Sequence, residues 1–207
     1  MSTPKSIFDR AWIRCDLLSV TYAYTSTNFS SVFDSREILR AEWVARVSAL
    51  DLYIHELVAQ RMLEIFQGRR ASTQKYDKFT MPHSVMNNIF NNAWTRDQIY
   101  DLEVRRQLGI QTYQTSESIA DGIRLISNIS LWREVAIDQG ATNSNADLES
   151  KSLRLNLNAI VDRRNKIAHE GDMQPITPRE PWPITGDDMV VVKNFIEKLV
   201  ISIDKLV

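Results

Sequence analysis

The chain has 207 residues, with 25 Lys and Arg against 26 Asp and Glu, 43% hydrophobic and 25% charged. That is enough for one domain with a sizeable core, and a net charge of -1 excludes a polybasic coat while permitting a local basic patch. Six Gly, six Pro and a single Cys, Cys15, exclude collagen-like sequence, an intramolecular disulfide and a cysteine zinc cage, and argue against a turn-rich all-β protein.

Charges at Lys5, Asp9 and Arg10 leave no apolar leader core at the start. No apolar run approaches the roughly 20 residues that span a bilayer. The sequence therefore reads as soluble and cytoplasmic, without a membrane partner.

Taken in order, the elements are helical. Phe8, Trp12, Cys15, Leu18 and Tyr22 recur at three- and four-residue steps and line up one apolar face. The polar stretch Thr25 to Ser31 breaks that pattern, and Ser31 or Asp34 is a candidate N-cap for the next helix. From Ser35 to Gln67 runs the longest periodic segment, with Leu39, Trp43, Val47, Leu50, Ile54, Leu57 and Ile65 as its stripe and Gly68 as its stop. Such a helix would be roughly 50 Å long, a length that invites a second packing partner, for example in a dimer.

The segment from Gly68 to Met81 lacks any period and reads as a loop. Short helices are expected over Pro82–Asn91, Thr95–Leu108 and Ser116–Ile129, with Thr95 and Gln98 placed for a capping box. Trp132 to Ile137 adds another turn. A second long helix follows the cap-rich run Asn143 to Asp147 and ends near Gly171. Leu153, Leu157, Ile160 and Ile167 hold its face, with Leu148 and Leu155 beside them. Four prolines make Met173 to Ile184 an irregular connection. Thr185 or Asp187 then caps a last helix whose face is Val192, Phe195, Leu199, Ile203 and Leu206. No stretch alternates as a strand does, so the fold class is all-α.

Three histidines can be weighed for chemistry. His55 is followed by Glu56, but a helical zinc-protease motif needs a second His where Ala59 stands. His55 is therefore expected to pack or hydrogen-bond, and His83 to be structural or exposed. His169 closes VDRRNKIAHEGD near the end of a long helix. Asn165, one turn earlier, shares its face, whereas Arg164 lies about 140° around the axis. Arg163 and Lys166 flank the pair as candidate substrate contacts. An imidazole beside a guanidinium suits cleavage of an RNA backbone: the ring moves protons while the cation stabilises charge on the phosphate oxygens. Basic residues at a helix C-terminus can equally serve only to complement the helix dipole.

The stretch RRNKIAHEGD resembles the signature of HEPN domains, in which an Arg, a polar residue and three variable residues precede a His; here these are Arg164, Asn165, Lys166 to Ala168 and His169. RVSALDLYIHELV and IADGIRLISNISLWREVA, which precede it in order, resemble the RiboL-PSP-HEPN branch. The resemblance implies an α-helical HEPN bundle with two long helices and several short ones. It is read as a single domain over 1–207, with 32–207 as the region of likeness and 1–31 an N-terminal helix of unplaced role.

It further implies a metal-independent endoribonuclease, without cofactor, leaving a 2′,3′-cyclic phosphate. The implied active site is composite, with two copies facing each other in a homodimer, and the implied setting is a bacterial defence or toxin system held by an antitoxin or awaiting a trigger protein. On this likeness Arg164 orients the scissile phosphate, Asn165 holds substrate or imidazole, and His169 is the general acid/base. The doubled arginine departs from the pattern, and Arg164 is favoured because Asn165 directly follows it. A non-catalytic HEPN module that binds RNA, a nucleotide or a protein is the other reading. Arg69, Arg70, Lys75, Arg105 and Arg106 are further candidates for phosphate, and Trp94, Trp132 and Trp182 for stacking on bases.

Overall fold

A computed structural model describes residues 3–29 and 34–207, and every described regular element is a helix. The organising element is α2 (Arg36–Phe66), the longest. Its predicted stripe is buried from Leu39 to Ile65, and Val58 and Met62 widen it. The length of α2 needs no second copy to cover it. Helices α1 (Pro4–Asn28), α5 (Arg96–Leu108), α6 (Ser116–Ile123), α8 (Ala146–Glu170) and α9 (Gly186–Leu206) all pack on it, so its apolar surface is spent within the chain. Between them lie the short helices α3 (Gln74–Asp77), α4 (His83–Asn91) and α7 (Leu131–Asp138).

Several boundaries differ from expectation for local reasons. Helix α1 begins on Thr3, whose hydroxyl accepts from Ser6 N, and continues through the polar residues to Asn28. There the hydroxyls of Thr25 and Thr27 donate to carbonyls one turn back, at 2.8 and 2.9 Å, and so do not compete for the helix's N–H groups. Ser31 lies outside the described residues. Asp34 is not the cap of α2: its carboxylate accepts from Arg36 N, while Ser35 takes the cap position without a side-chain bond.

The expected loop after Gly68 contains the single turn α3, capped by the Thr73 hydroxyl. The same hydroxyl donates to the carbonyls of Arg124 and Leu125, and Arg70 Nε donates to that of Ile126. Those bonds draw off the carbonyls that would have prolonged α6, which stops at Ile123. Thr95 does not form the expected capping box. Its ψ of 3° is far from the extended conformation in which a cap hydroxyl overlies the first turn, and it makes no side-chain cap bond. Thr185 is extended and forms a complete box with Asp188 at the start of α9.

Helix α8 ends as its sequence predicts. Gly171 adopts φ 64°, a left-handed conformation that glycine reaches without steric cost. Leu157 and Ile160 face the core, while Leu148 and Leu155 point outward, 69% and 61% exposed. Among the described residues no helix is long and apolar enough to cross a membrane.

Candidate nuclease site

Past Gly171 the chain turns back on itself. Asp172 has φ 56° and its N–H donates to Lys166 O, closing the end of α8. A narrow hairpin follows, in which Trp182 N donates to Asp172 O at 2.7 Å and Gln174 N to Glu180 O at 2.8 Å. The Gln174 side chain adds a bond to Pro181 O.

The base of this hairpin is locked by charge. The Asp172 carboxylate is fully buried, and its Oδ2 accepts from Arg40 Nε at 3.0 Å and from Arg163 Nη2 at 2.7 Å. Arg40 also donates to Trp182 O at 2.6 Å and Arg163 to Pro183 O at 3.0 Å. The Arg163 guanidinium lies 5.7 Å from the centre of the Trp43 ring, whose indole N–H donates to Ile160 O of α8. One carboxylate and two guanidiniums thus join α2, α8 and both ends of the hairpin. Breaking a buried set of this kind costs about 3–5 kcal/mol.

The two adjacent arginines are therefore not equivalent. Arg163, expected to touch substrate, is engaged by Asp172 and by backbone carbonyls. Arg164 leaves α8 in another direction and has no carboxylate partner among the described residues. Its Nη1 donates to Asn165 Oδ1 at 3.1 Å and its Nη2 makes no hydrogen bond among the described residues, while its buried Nε, like that of Arg163, lacks an acceptor. An arginine with unspent donors is suited to an incoming anion. Lys166 and His169 are exposed and make no ion pair or side-chain hydrogen bond among the described residues. His169 opens onto a cleft of about 550 Å³ shared with Glu170, Met173, Gln174, Pro175 and Arg179.

The other candidates sort by their partners. Arg105 is bridged to Glu56 and Asp101, Arg106 to Glu103, and Lys75 to Asp121. Arg69 keeps an unpaired guanidinium among the described residues. Trp132 is core and donates to Ser116 O, Trp94 is fully exposed, and Trp182 stands half-exposed at the hairpin base. His55 packs as expected, its ring 4.6 Å from that of Tyr113 and its Nε2 3.4 Å from Asp51. Burial opposes ionisation of Asp51, yet bonds from His55, Gln114 and Tyr113 N hold its carboxyl below the ordinary range.

Sequence reasoning missed Arg40, Asp172 and Arg179. A signal existed for the first: Arg40 stands in register with Trp43, Val47 and Leu50, and an arginine on a buried stripe demands an acid. An Asp directly after a helix-ending Gly also fits a second left-handed residue. Arg179 carried no such mark.

Comparison with curated proteins and with solved structures gives no significant match. The profile of the RiboL-PSP-HEPN family matches residues 9–207, which takes in most of α1 as well as the motif helix. The chain is a member of the RiboL-PSP-HEPN family.

Proposed function

We propose that the protein is a metal-independent endoribonuclease acting in bacterial defence or as a toxin. The observation that carries this reading is the division of labour between Arg163 and Arg164. The first is engaged by Asp172, while the second has no carboxylate partner among the described residues and keeps its Nη2 free beside Asn165, on the same helical end as the exposed His169.

In this mechanism His169 moves the proton of the attacking 2′-hydroxyl or of the leaving 5′-oxygen. Arg164 stabilises the charge that builds on the phosphate oxygens, and Lys166 contacts the backbone. The 2′-oxygen forms its bond to phosphorus as the P–O5′ bond breaks, leaving a 2′,3′-cyclic phosphate and a free 5′-hydroxyl.

One chain cannot easily supply both roles, because Arg164 and His169 lie about 140° apart on α8. Two copies related by a two-fold axis would let the arginine of one serve the imidazole of the other. The outward face of α8 suits this arrangement, since Leu148, Leu155, Ala159, Lys166 and His169 follow one another along it, all exposed. An uncontrolled RNase would damage its host, so an antitoxin or a trigger protein is part of the proposal.

The test is to incubate wild type and His169→Ala with labelled total RNA in excess EDTA and to identify the fragment ends. Cleavage by wild type alone, with cyclic phosphates, is the expected result. Equal cleavage by both proteins removes His169 from the chemistry. Absence of cleavage by folded, dimeric wild type favours a HEPN module that binds RNA, a nucleotide or a protein without cutting.

A further inference from the structure

We propose that the cleft between His169 and the hairpin holds a nucleotide flanking the scissile bond of single-stranded RNA, with Arg179 binding its phosphate. This deepens the nuclease reading and rests on it for the word scissile; the binding itself does not.

Three observations converge. The first is charge. Most cations on this chain are neutralised, as Arg105, Arg106, Arg124 and Lys205 are by neighbouring carboxylates. Among the described residues Arg164, Lys166 and Arg179 have no carboxylate partner; Arg10, Arg14, Arg69, Lys78, Lys151 and Lys198 are unpaired as well but are scattered along the chain, whereas these three belong to the end of α8 and its hairpin. The segment carries as many acids as cations, but a guanidinium or ammonium group without a carboxylate partner keeps its donors for a phosphate.

The second is rigidity. Pro175, Pro178, Pro181 and Pro183 fix φ around the hairpin, its two sides are hydrogen-bonded, and its base is clamped by Arg40 and Arg163. Arg179 is therefore offered from a frame that needs little ordering when a ligand arrives, and less of the binding energy is lost to entropy.

The third is the lining. About 550 Å³ falls within the roughly 300–1,000 Å³ usual for small-ligand sites. Met173 and the Pro175 ring are apolar surfaces for a base. Arg179 is the single guanidinium and Glu170 the single carboxylate among the lining residues, so an anion entering the cleft has one arginine to meet. An open cleft at a helix end accepts an unstacked nucleotide, which a duplex does not present.

The probe is a fluorescent 2′-O-methyl oligoribonucleotide of mixed sequence, which cannot be cut by 2′-hydroxyl attack, titrated by anisotropy over a range of salt. Arg179→Ala should weaken its binding about 5-fold at moderate salt and lower the slope of log K against log salt by about 0.7, the loss of one phosphate contact to a single strand. Lys198→Ala, on the exposed side of α9, should change neither. In cleavage assays Arg179→Ala should raise KM and leave kcat within about twofold.

An unchanged affinity and slope in Arg179→Ala overturns the subsite even if wild type cuts RNA. Failure of wild type to bind the oligonucleotide overturns it as well. Weakened binding in the variant, together with no cleavage by wild type, upholds the subsite and overturns the nuclease.

Discussion

Arg40 and Arg46 stand less than two turns apart on α2, and each buried guanidinium anchors an ion network that does a different job. Arg46 is fully buried and donates to Glu42 and to Asp16, each at 2.7 Å, and Lys193 of α9 completes the set on Asp16. Its guanidinium also lies 4.3 Å from the centre of the Trp12 ring. Two cations meet two anions, and the network ties α1, α2 and α9 together with no charge to spare. Around Arg40 one buried acid serves two cations. Arg40 and Arg163 share the single buried carboxylate of Asp172, and their remaining donors go to the carbonyls of Trp182 and Pro183. Glu37, the other acid on Arg40, is largely exposed. The first network holds only helices, whereas the second holds the hairpin beside the candidate site.

The largest effect expected from this contrast is at Arg46. Arg46→Met leaves Glu42 buried without its cation and should cost about 3–5 kcal/mol in urea unfolding, with RNA cleavage per folded molecule unchanged. A loss of cleavage beyond the loss of folded protein would mean that the two networks are not independent.

Arg164→Ala should show the opposite pattern. Stability should stay within about 0.5 kcal/mol, while cleavage falls by about 100-fold or more, as removal of a group stabilising transition-state charge does. If Arg163→Ala has that signature and Arg164→Ala is the unstable variant, the roles assigned to the doubled arginine are exchanged.

Asp172→Asn keeps an acceptor but removes the charge, and should cost about 1.5–3 kcal/mol in urea unfolding, the range for hydrogen bonds to charged groups. Limited proteolysis should then nick the hairpin between 173 and 183 sooner than in wild type. Unchanged nicking would show that the hairpin is held by its own bonds alone.

The smallest effect is at acid pH. Burial raises the Asp16 carboxyl, but bonds from Lys193 and Arg46 outweigh it and leave the group below its ordinary value of 3.8. Because its affinity for protons is lower in the folded state, the stabilisation is complete above about pH 4 and is lost as pH falls through the folded value. Asp16→Asn should therefore flatten the acid limb of stability below pH 4, followed by circular dichroism.

Much of this architecture can be read locally. The stripes of α2, α8 and α9 recur at helical spacing, and Gly171 and Thr185 mark their ends by known backbone chemistry. His169 and Arg164 were legible through their motif. Asp172 and Arg40 were not, because their pairing spans 132 positions and no local pattern records it. The run after Thr25 misled because hydroxyls that favour loops can also fold back on their own helix, as those of Thr25 and Thr27 do. Thr95 misled for the converse reason: the residue type suits a cap, but the backbone does not bring its hydroxyl into place. Arg179 lay in a segment without period, where only the folded hairpin shows what it stands beside.

The hairpin after α8 is built as a fixed socket with an exposed tip. Its two ends, Asp172 and the stretch from Trp182 to Pro183, are bonded to each other and to the two arginines beneath them. Residues 174 to 180 are largely exposed, and only the Gln174 side chain is shared with the base. Changes of length or composition in that tip would reshape the ground next to His169 and spare the core. Replacing the tip between the fixed ends is accordingly a direct way to test whether it contributes to the proposed RNA contact while the helices stay as they are.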